Sequence, residues 1–434
     1  MLEFAVLADD LTGGMIIASS LEHEGVRCPL VTSVDALADL PASTEAVVLA
    51  RKIRLVEPDL ARKEAEQAAA AFKALGAKRI FSKYSALFDS SARGNIGPIA
   101  ETLLDATGAQ RTIFCPSFVE RDVTVYEGRM FLRGTPLGES FKRFDPATPM
   151  LNSNLVEVLQ AQSRLKVGLL RRRHLATGKP AAEAALARQA DARLFIADAI
   201  DAGDIERLAE LTLDWPLTTG ADSLPPALAR LWRGDRPPAR GSGRRLLPPA
   251  PGFEAVLAGS CAAPTLAQLD AFEGAHPVWR IDLVRDGEDP DLLDRISAWA
   301  SQRLRSGPVA IATSADQAGV EAAQQRHGRV GAAALSDRLL GALARRLLNL
   351  GVRKFVVAGG ETSGQVVSAL GIRRVDVARL DDMQGGYCHQ SEPVGLSLVL
   401  KPGTFGDAEF LFSALARLRE ADGAEHPDPI GESA

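Results

Sequence analysis

Residues 4–13 read Phe-Ala-Val-Leu-Ala-Asp-Asp-Leu-Thr-Gly, an apolar run followed by an acidic pair and then a glycine. The uninterrupted run Phe4–Ala8 predicts a strand that is buried on both faces, as strands of parallel sheets are. The residues from Gly13 to His23 predict the helix that follows it. A buried strand that leads directly into a helix is the first half of a βαβ unit, so this stretch predicts an α/β fold with a largely parallel sheet.

The same alternation of short apolar runs and helical patterns continues outward along the chain. It predicts strands at 26–31, 46–50, 79–83 and 112–115, a helix at 58–75, then strands at 255–259, 308–312 and 354–358 with a helix at 336–350 before the last of them. We therefore expect two α/β domains, each with a largely parallel sheet that is flanked by helices.

The stretch 236–252 interrupts this alternation. It is rich in Pro, Gly and Ser and has no hydrophobic period, which is typical of a linker. A chain of 434 residues also exceeds what one hydrophobic core usually supports. We predict a first domain at residues 1–240, a linker at 241–251, a second domain at 252–421 and a frayed tail at 422–434.

Composition excludes several classes of protein. A formal net charge of −5 argues against a nucleic-acid-binding protein. The four cysteines include no C-x-x-C pair, so we expect buried free thiols in a reducing compartment and no structural zinc site. The N-terminus does not resemble a signal peptide and no apolar run is long enough to span a membrane, so a cytoplasmic location is expected.

Three Gly-containing junctions in the second domain have the residue types that bind phosphate. These turns are Ala258-Gly259-Ser260-Cys261, the stretch Ala358-Gly359-Gly360-Glu361-Thr362-Ser363-Gly364, and Lys401-Pro402-Gly403-Thr404-Phe405-Gly406. Glycine lets the backbone approach an anion, hydroxyl groups donate to it, and a helix N-terminus presents its N–H groups. Ser260 and Thr362 could equally be plain helix N-caps. No Walker A motif is present, so these turns alone do not settle a nucleotide site.

The first domain carries acidic and basic residues where its predicted strands end. Asp9 and Asp10 follow the first strand, and such a pair can hold a metal, orient a polyol or accept a hydroxyl proton. The alternative is a helix N-cap beside a solvated carboxylate. Arg54 follows another strand, Lys83 ends the strand at 79–83, and Asp89 with Ser90 comes soon after. Cations beside carboxylates and hydroxyls would suit an anionic, hydroxylated substrate such as an aldonate.

Taken together, these residues resemble the four-carbon acid sugar kinase family over nearly the whole chain. The stretches that carry the resemblance are 8–13, 83–97, 124–128, 148–150, 259–261, 358–364 and 400–406. The Gly94–Pro98 and Glu139-Ser140 stretches are most similar to its 3-oxo-tetronate 4-kinase branch.

The resemblance implies a sugar-acid-binding first domain, an ATP-binding second domain and an active site in the cleft between them. By position, the implied catalytic residues are Asp9 and Asp10, and the implied substrate-binding residues are Arg54, Lys83, Asp89 and Ser90. The implied nucleotide-binding residues are Ser260, Gly359, Gly360, Glu361, Thr362, Ser363 and Gly403. The expected cofactors are ATP and Mg²⁺, the latter with ligands that the sequence does not identify.

Several positions depart from the family pattern, most of them in the first domain. Ile16 stands where the family has an acid after T-G-A, Val123 replaces an arginine, Asp145 replaces a histidine and Thr404 replaces an asparagine. Polar groups that pair with substrate hydroxyls discriminate strongly, so such changes favour a changed substrate.

The sequence leaves three functions open. The first is a 3-oxo-tetronate 4-kinase, and its variants are a kinase for 3-oxo-isoapionate or for D-threonate or erythronate. The second is a non-catalytic sensor of nucleotide or sugar acid. A dinucleotide-dependent oxidoreductase fits the sheet pattern but lacks G-x-G-x-x-G. The oligomeric state is not determined, with a homodimer as one candidate.

Overall fold

The computed structural model describes residues 2–41, 44–145, 148–381 and 385–424. The chain divides into two compact units, Met1–Gly243 and Arg244–Ala434. Each unit has its own α/β sheet, in agreement with the fold class expected from the sequence. No helix among the described residues is long and apolar enough to cross a membrane.

The first unit is built on a parallel sheet in the order β2-β3-β1-β4-β11-β5-β10-β9, beside a small antiparallel sheet β6-β7-β8. Its strands are β1 Phe4–Ala8, β2 Leu30–Val31, β3 Ala46–Ala50, β4 Arg79–Lys83, β5 Thr112–Cys115, β6 Val123–Tyr126, β7 Arg129–Leu132, β8 Thr135–Pro136, β9 Lys166–Leu170, β10 Ala192–Ala197 and β11 Leu217–Gly220.

The helices of this unit are α1 Leu11–His23, α2 Pro58–Ala74, α3 Ile96–Thr107, α4 Leu155–Gln160, α5 Arg172–Ala176, α6 Lys179–Ala187, α7 Ala202–Thr212 and α8 Leu224–Arg233, and short 3₁₀ helices cover Asp35–Asp39, Val119–Arg121, Leu137–Glu139 and Phe141–Phe144.

The register of the first sheet determines where its polar strand ends lie. Strand β1 is buried throughout, and Ala8 pairs with Ala50 of β3 on one side and with Lys83 of β4 on the other. Because parallel strands end at the same edge of a sheet, the residues after Ala8, Ala50 and Lys83 emerge together. The candidate site of this unit lies at that edge.

The second unit has a mixed, mostly parallel sheet in which β13-β14-β12-β15-β18 are parallel and β17 and β16 continue antiparallel. Its strands are β12 Phe253–Ala258, β13 Val278–Arg280, β14 Val309–Ala312, β15 Val352–Ala358, β16 Arg374–Val377, β17 Gly386–Gln390 and β18 Leu396–Lys401. Its helices are α9 Ala263–Glu273, α10 Leu292–Arg303, α11 Gln317–His327, α12 Arg329–Asn349, α13 Gly360–Ala369 and α14 Phe410–Gly423.

Some element boundaries differ from the expected ones for identifiable reasons. Helix α1 begins at Leu11 because the Asp10 side chain caps it. The strand predicted at 26–31 shrinks to Leu30–Val31, since the Cys28 N–H donates to Glu22 Oε1 (2.7 Å) rather than to a neighbouring strand. Helix α12 begins at Arg329, seven residues earlier than the predicted Ser336.

The predicted tail also begins too early. Asp422 belongs to α14, where its carboxylate pairs with Lys354 (2.5 Å) and accepts from the Ala250 N–H (2.8 Å). These contacts fix the last turn of the helix. The rest of the predicted tail, from Glu425, lies outside the described residues.

Candidate functional site

Asp9, Asp10 and Arg54 form a compact ionic cluster at the carboxyl edge of the first sheet. Arg54 donates to both oxygens of Asp9, from Nε (2.9 Å) and from a terminal nitrogen (2.8 Å), and the same nitrogen lies 3.0 Å from Asp10 Oδ2. Asp10 also caps α1, because its Oδ1 accepts from the Gly13 N–H at 2.6 Å. The N-cap alternative is therefore right for Asp10, but Asp9 is buried and paired rather than solvated.

The two carboxylates of this cluster differ in electrostatics. Burial raises the pKa of Asp9, although Arg54 opposes that effect. Burial also acts to raise the pKa of Asp10, but Arg54, Lys83 and the Gly13 amide outweigh it and hold that pKa below its ordinary value. The side chain of Asp10 is 26% exposed and that of Asp9 only 6%, so Asp10 is the carboxylate that a ligand can reach as an anion.

Asn95 fixes the loop that carries Arg54. Its side-chain amide donates to the carbonyl oxygens of Ile53 (2.8 Å) and Val56 (2.8 Å), which lie on either side of Arg54 in the chain. Its Oδ1 atom is buried and has no hydrogen-bond partner among the described residues. A buried orphan acceptor is costly unless a water or ligand hydroxyl donates to it.

A recess beside this cluster brings together most of the site residues predicted for the first unit. It is lined by Asp9, Arg54, Lys83, Asp89 and Asn95, with Ser82, Tyr84, Ile96 and Ile99 completing the wall. Its mixture of charged, amide and apolar groups is the chemistry that a small, polar, anionic ligand requires.

Lys83 pairs with Asp222, a residue that the sequence analysis missed. The ammonium of Lys83 is buried, lies 3.4 Å from Asp222 Oδ1 and donates to the Tyr84 carbonyl at 2.6 Å. Burial raises the pKa of Asp222, and Lys83 partly offsets the rise. Asp222 follows the short strand β11 at the same sheet edge, and a strand-end acid after Gly220-Ala221 was the signal available in the sequence.

Asp89 meets a second missed residue, Lys142. The buried Lys142 ammonium pairs with Asp89 and lies 2.7 Å from Asp145 Oδ2, while Ser85 donates to the other Asp89 oxygen at 2.6 Å. Lys142 lies in a 3₁₀ helix with no hydrophobic period, so no sequence pattern marks it. Asp145, one of the departures from the family pattern, therefore balances the charge of a buried lysine.

Ser90 and two of the departing positions have largely internal surroundings. The hydroxyl of Ser90 is buried against Gln162, whose side-chain amide donates to it at 3.0 Å, and Ser90 does not line the recess. Val123 is buried in the core and Ile16 is half-buried on α1. The structure thus separates Ser90 from the other predicted substrate-binding residues.

The three Gly-rich turns of the second unit converge at the carboxyl edge of its sheet. A Cβ atom added to Gly259 would lie 2.2 Å from Thr362 Oγ1, and one on Gly403 would lie 1.9 Å from Ser260 Oγ. One on Gly359, where φ is +125°, would lie 3.3 Å from the Ser260 nitrogen. Only glycine permits approaches this close, so the three predicted turns pack against one another.

The middle turn is helical rather than a loop before a helix. Helix α13 begins at Gly360 with Gly359 as its N-cap, so Gly360–Ser363 form its first turn and Ser363 donates to the Gly359 carbonyl at 2.7 Å. The N-cap of α9 is Ala262, so neither Ser260 nor Thr362 is a plain N-cap. The amides of this first turn are oriented as in known anion sites.

The cysteine prediction is wrong at Cys261, which lies in the turn between β12 and α9. Cys28, Cys115 and Cys388 are buried free thiols, but Cys261 is exposed, and its sulfur accepts from the Ala315 N–H at 3.4 Å. Ala315 follows β14, so a fourth strand end that the sequence analysis did not single out adjoins the three turns. Burial raises the pKa of both Cys115 and Cys388 to about 12, which makes these two thiols unreactive.

Comparisons with known proteins match a different family model to each of the two units. Residues 4–228 match the sugar-binding N-terminal domain family and residues 255–411 the nucleotide-binding C-terminal domain family. The chain belongs to the four-carbon acid sugar kinase family. It is 38% identical over 422 residues to a 3-oxo-tetronate kinase of Pseudomonas fluorescens, covering 95% of this chain and 96% of the relative. It is 33% identical to a 3-oxo-tetronate kinase of Salmonella typhimurium, covering 95% and 99%.

Two solved structures have the same fold as this chain. A crystal structure from Salmonella typhimurium LT2, described as a tRNA synthase, superposes with a TM-score of 0.83 at 32% identity and covers 95% of this chain and 99% of that one. A Haemophilus influenzae protein superposes with a TM-score of 0.75 at 27% identity, covering 95% and 100%.

Proposed function

We propose that this kinase transfers the γ-phosphate of ATP to a terminal hydroxyl of a small sugar acid, with 3-oxo-tetronate as the first candidate. The observation that carries the proposal is similarity over the full length to 3-oxo-tetronate kinases, across both units. The tRNA-related description of one structural relative finds no support in a chain whose net charge is −5.

In this proposal the second unit binds the ATP phosphates. The first turn of α13 and the turns at Ser260 and Gly403 supply backbone N–H groups and hydroxyls to the anion. The first unit holds the sugar acid at the carboxyl edge of its sheet, beside Asp10 and the recess. Phosphoryl transfer depends mainly on this positioning and on neutralising charge.

Asp10 is the proposed acceptor of the hydroxyl proton. Both oxygens of Asp9 are bound to Arg54, whereas Asp10 is partly exposed, and its lowered pKa keeps it ionised at neutral pH. Asp9 then holds Arg54, and Arg54 orients Asp10. A base of low pKa suffices here because the loose transition state of phosphoryl transfer demands little proton abstraction in advance.

Lys83 is the proposed partner of the sugar-acid carboxylate. Arg54 is already engaged by two aspartates, while the salt bridge of Lys83 is with Asp222, at 3.4 Å, and Lys83 lines the recess. The orphan Asn95 Oδ1 would accept from a substrate hydroxyl.

Mg²⁺ would enter this site bound to the phosphates of ATP. The described residues contain no group of three or more His, Cys, Asp or Glu side chains that could hold a metal. Magnesium in kinases commonly takes one or two carboxylates plus substrate phosphates, and the exposed Glu361 in the first turn of α13 offers one such oxygen donor. When bound, Mg²⁺ would neutralise phosphate charge.

A coupled ATPase screen against a panel of sugar acids tests this function. The panel holds 3-oxo-tetronates, 3-oxo-isoapionate, D-threonate and D-erythronate, and a 3-oxo-tetronate is expected to give the highest kcat/KM. Preference for the branched acid would make 3-oxo-isoapionate, and not a 3-oxo-tetronate, the substrate. If the protein binds ATP but phosphorylates none of these acids, the sensor function is favoured over the kinase function. Light scattering on the same sample measures the oligomeric state, for which a homodimer is one candidate.

The variant Asp10→Asn tests the catalytic role. Asparagine caps helices as well as aspartate does, so the fold should persist. We expect kcat to fall by about 100-fold or more with little change in the KM for ATP. Asp59→Asn, at the exposed start of α2, is the matched control and should keep full activity. Turnover within a few-fold of the parent would remove Asp10 from the mechanism.

A further inference from the structure

Lys401, the last residue of β18, has a completely buried ammonium group. Its Nζ atom lies 2.9 Å from the Phe405 carbonyl oxygen, 3.3 Å from those of Pro402 and Gly403, and 3.2 Å from Thr265 Oγ1. All four acceptors are neutral. Three of them belong to the turn that brings Gly403 against Ser260.

No carboxylate among the described residues pairs with this ammonium. Thr265 of α9 contributes a hydroxyl and Phe410 of α14 a ring at 5.5 Å, while Ala358 is its backbone partner on β15. The acids nearest in the chain, Asp407 and Glu409, are both exposed, and Asp407 Oδ1 accepts from the Glu409 N–H at 3.1 Å.

A buried cation without a counter-ion is costly, so packing alone does not account for this arrangement. Burial lowers the pKa of Lys401 from 10.5 to about 8, because the charged ammonium form is less stable away from water. An anion bound close to the turn would stabilise that charged form.

The contacts of Lys401 also orient the backbone of the turn. In a trans peptide the C=O and the following N–H point in opposite directions. The carbonyls of Pro402 and Gly403 point at Lys401, so the N–H groups of Gly403 and Thr404 point away from it. Gly403 abuts Ser260, so these amides lie where the three turns meet.

We propose that Lys401 is a positioning residue for nucleotide phosphate: it turns the Gly403 and Thr404 amides outward and places a positive charge behind them. This role rests on the proposed function of the second unit as the ATP-binding half. Lys401 makes no contact with the phosphate itself and acts through the turn.

The role predicts opposite pH dependences for binding and for folding. Bound phosphate favours the ammonium form, so ATP affinity should fall as pH rises above about 8. The unfolded chain holds the Lys401 proton up to its ordinary pKa of 10.5, so between about 8 and 10.5 folding stability should rise with pH. If Lys401 only packed the core, folding stability would still rise with pH, but ATP affinity would not fall.

The experiment measures MgATP binding to the full chain at pH 7.5 and 9.5 by titration calorimetry, together with the KM for the sugar acid. The parent Kd should rise about tenfold or more between the two pH values. Lys401→Met should bind MgATP about tenfold more weakly at pH 7.5, without the pH dependence, and keep the parent KM for the sugar acid within twofold. Its unfolding free energy should also lack the rise with pH.

Two further variants keep the test decisive. Lys354→Met removes another buried lysine of the second unit, one paired with Asp422, and should retain the parent pH dependence of binding. Lys401→Arg keeps the charge at every pH and should bind MgATP equally at both. A Lys401→Met protein that matches the parent Kd at both pH values, or a Lys401→Arg protein that loses affinity as the parent does, would overturn the role. If the parent protein binds no MgATP, the proposed nucleotide-binding function of the second unit is overturned instead.

Discussion

Arg54 is the residue on which the ionic cluster of the first unit depends. It makes a two-point contact with Asp9 and a third contact with Asp10, and only a planar guanidinium can make all three. For Arg54→Lys we expect turnover to fall about 100-fold, because Asp10 loses its orientation. The free energy of unfolding should fall by about 1–3 kcal/mol, since the buried Asp9 is left under-bonded. Steady-state kinetics and urea unfolding measure the two effects.

Arg51 provides a matched control in the same loop. It makes an equivalent two-point contact with Glu64, at 2.7 and 3.0 Å, and does not line the recess. Arg51→Lys should lower stability by a smaller amount because this pair is more exposed, and it should leave turnover unchanged. Equal losses of turnover in the two variants would mean that the loop as a whole, and not Arg54, governs catalysis.

At the scale of elements, the convergence of the second unit's turns predicts the effect of adding one methyl group. For Gly403→Ala, the new Cβ would lie 1.9 Å from Ser260 Oγ and 2.8 Å from Ser260 Cβ, so one turn must move. Displacement of this kind costs about 1–3 kcal/mol, and the KM for ATP should rise about tenfold. Steady-state kinetics with ATP varied at saturating sugar acid measure it.

Gly331→Ala is the control for that substitution. It lies in the first turn of α12, where an added Cβ would approach only His327 Cβ, at 3.6 Å, an ordinary contact. Its KM for ATP should equal that of the parent. A Gly403→Ala protein with parental ATP kinetics would show that the turn at Gly403 tolerates movement and does not border the phosphates.

The same elements show how far the sequence could predict the structure. Strands such as β1, β3 and β15 were predictable because both faces are buried, which leaves uninterrupted apolar runs. Asp9, Arg54 and Lys83 were predictable because strand ends in a parallel sheet share one edge. Lys142 was not, since its pairing with Asp89 arises from tertiary packing that leaves no periodic signal. Asp222 had the same strand-end signal, but it follows a short strand that the sequence did not predict.

At the scale of the whole molecule, we expect the sugar acid and MgATP to protect backbone amides in different units. Hydrogen exchange with mass spectrometry should show a sugar acid alone slowing exchange around 51–56 and 83–97, and MgATP alone slowing it around 259–263, 359–364 and 401–406. Ligands stabilise the groups that they contact and suppress local opening there. A sugar acid that protects only the second unit would reverse the assignment of the two halves.

Cys261 gives the fold a practical use. It is the one exposed thiol among the four cysteines, and it lies on the turn between β12 and α9, beside Ser260. A maleimide fluorophore should therefore label the unmodified chain at a single position. The dye would report nucleotide occupancy as a change in its emission, which would make the protein its own optical sensor for ATP without the removal of any other cysteine.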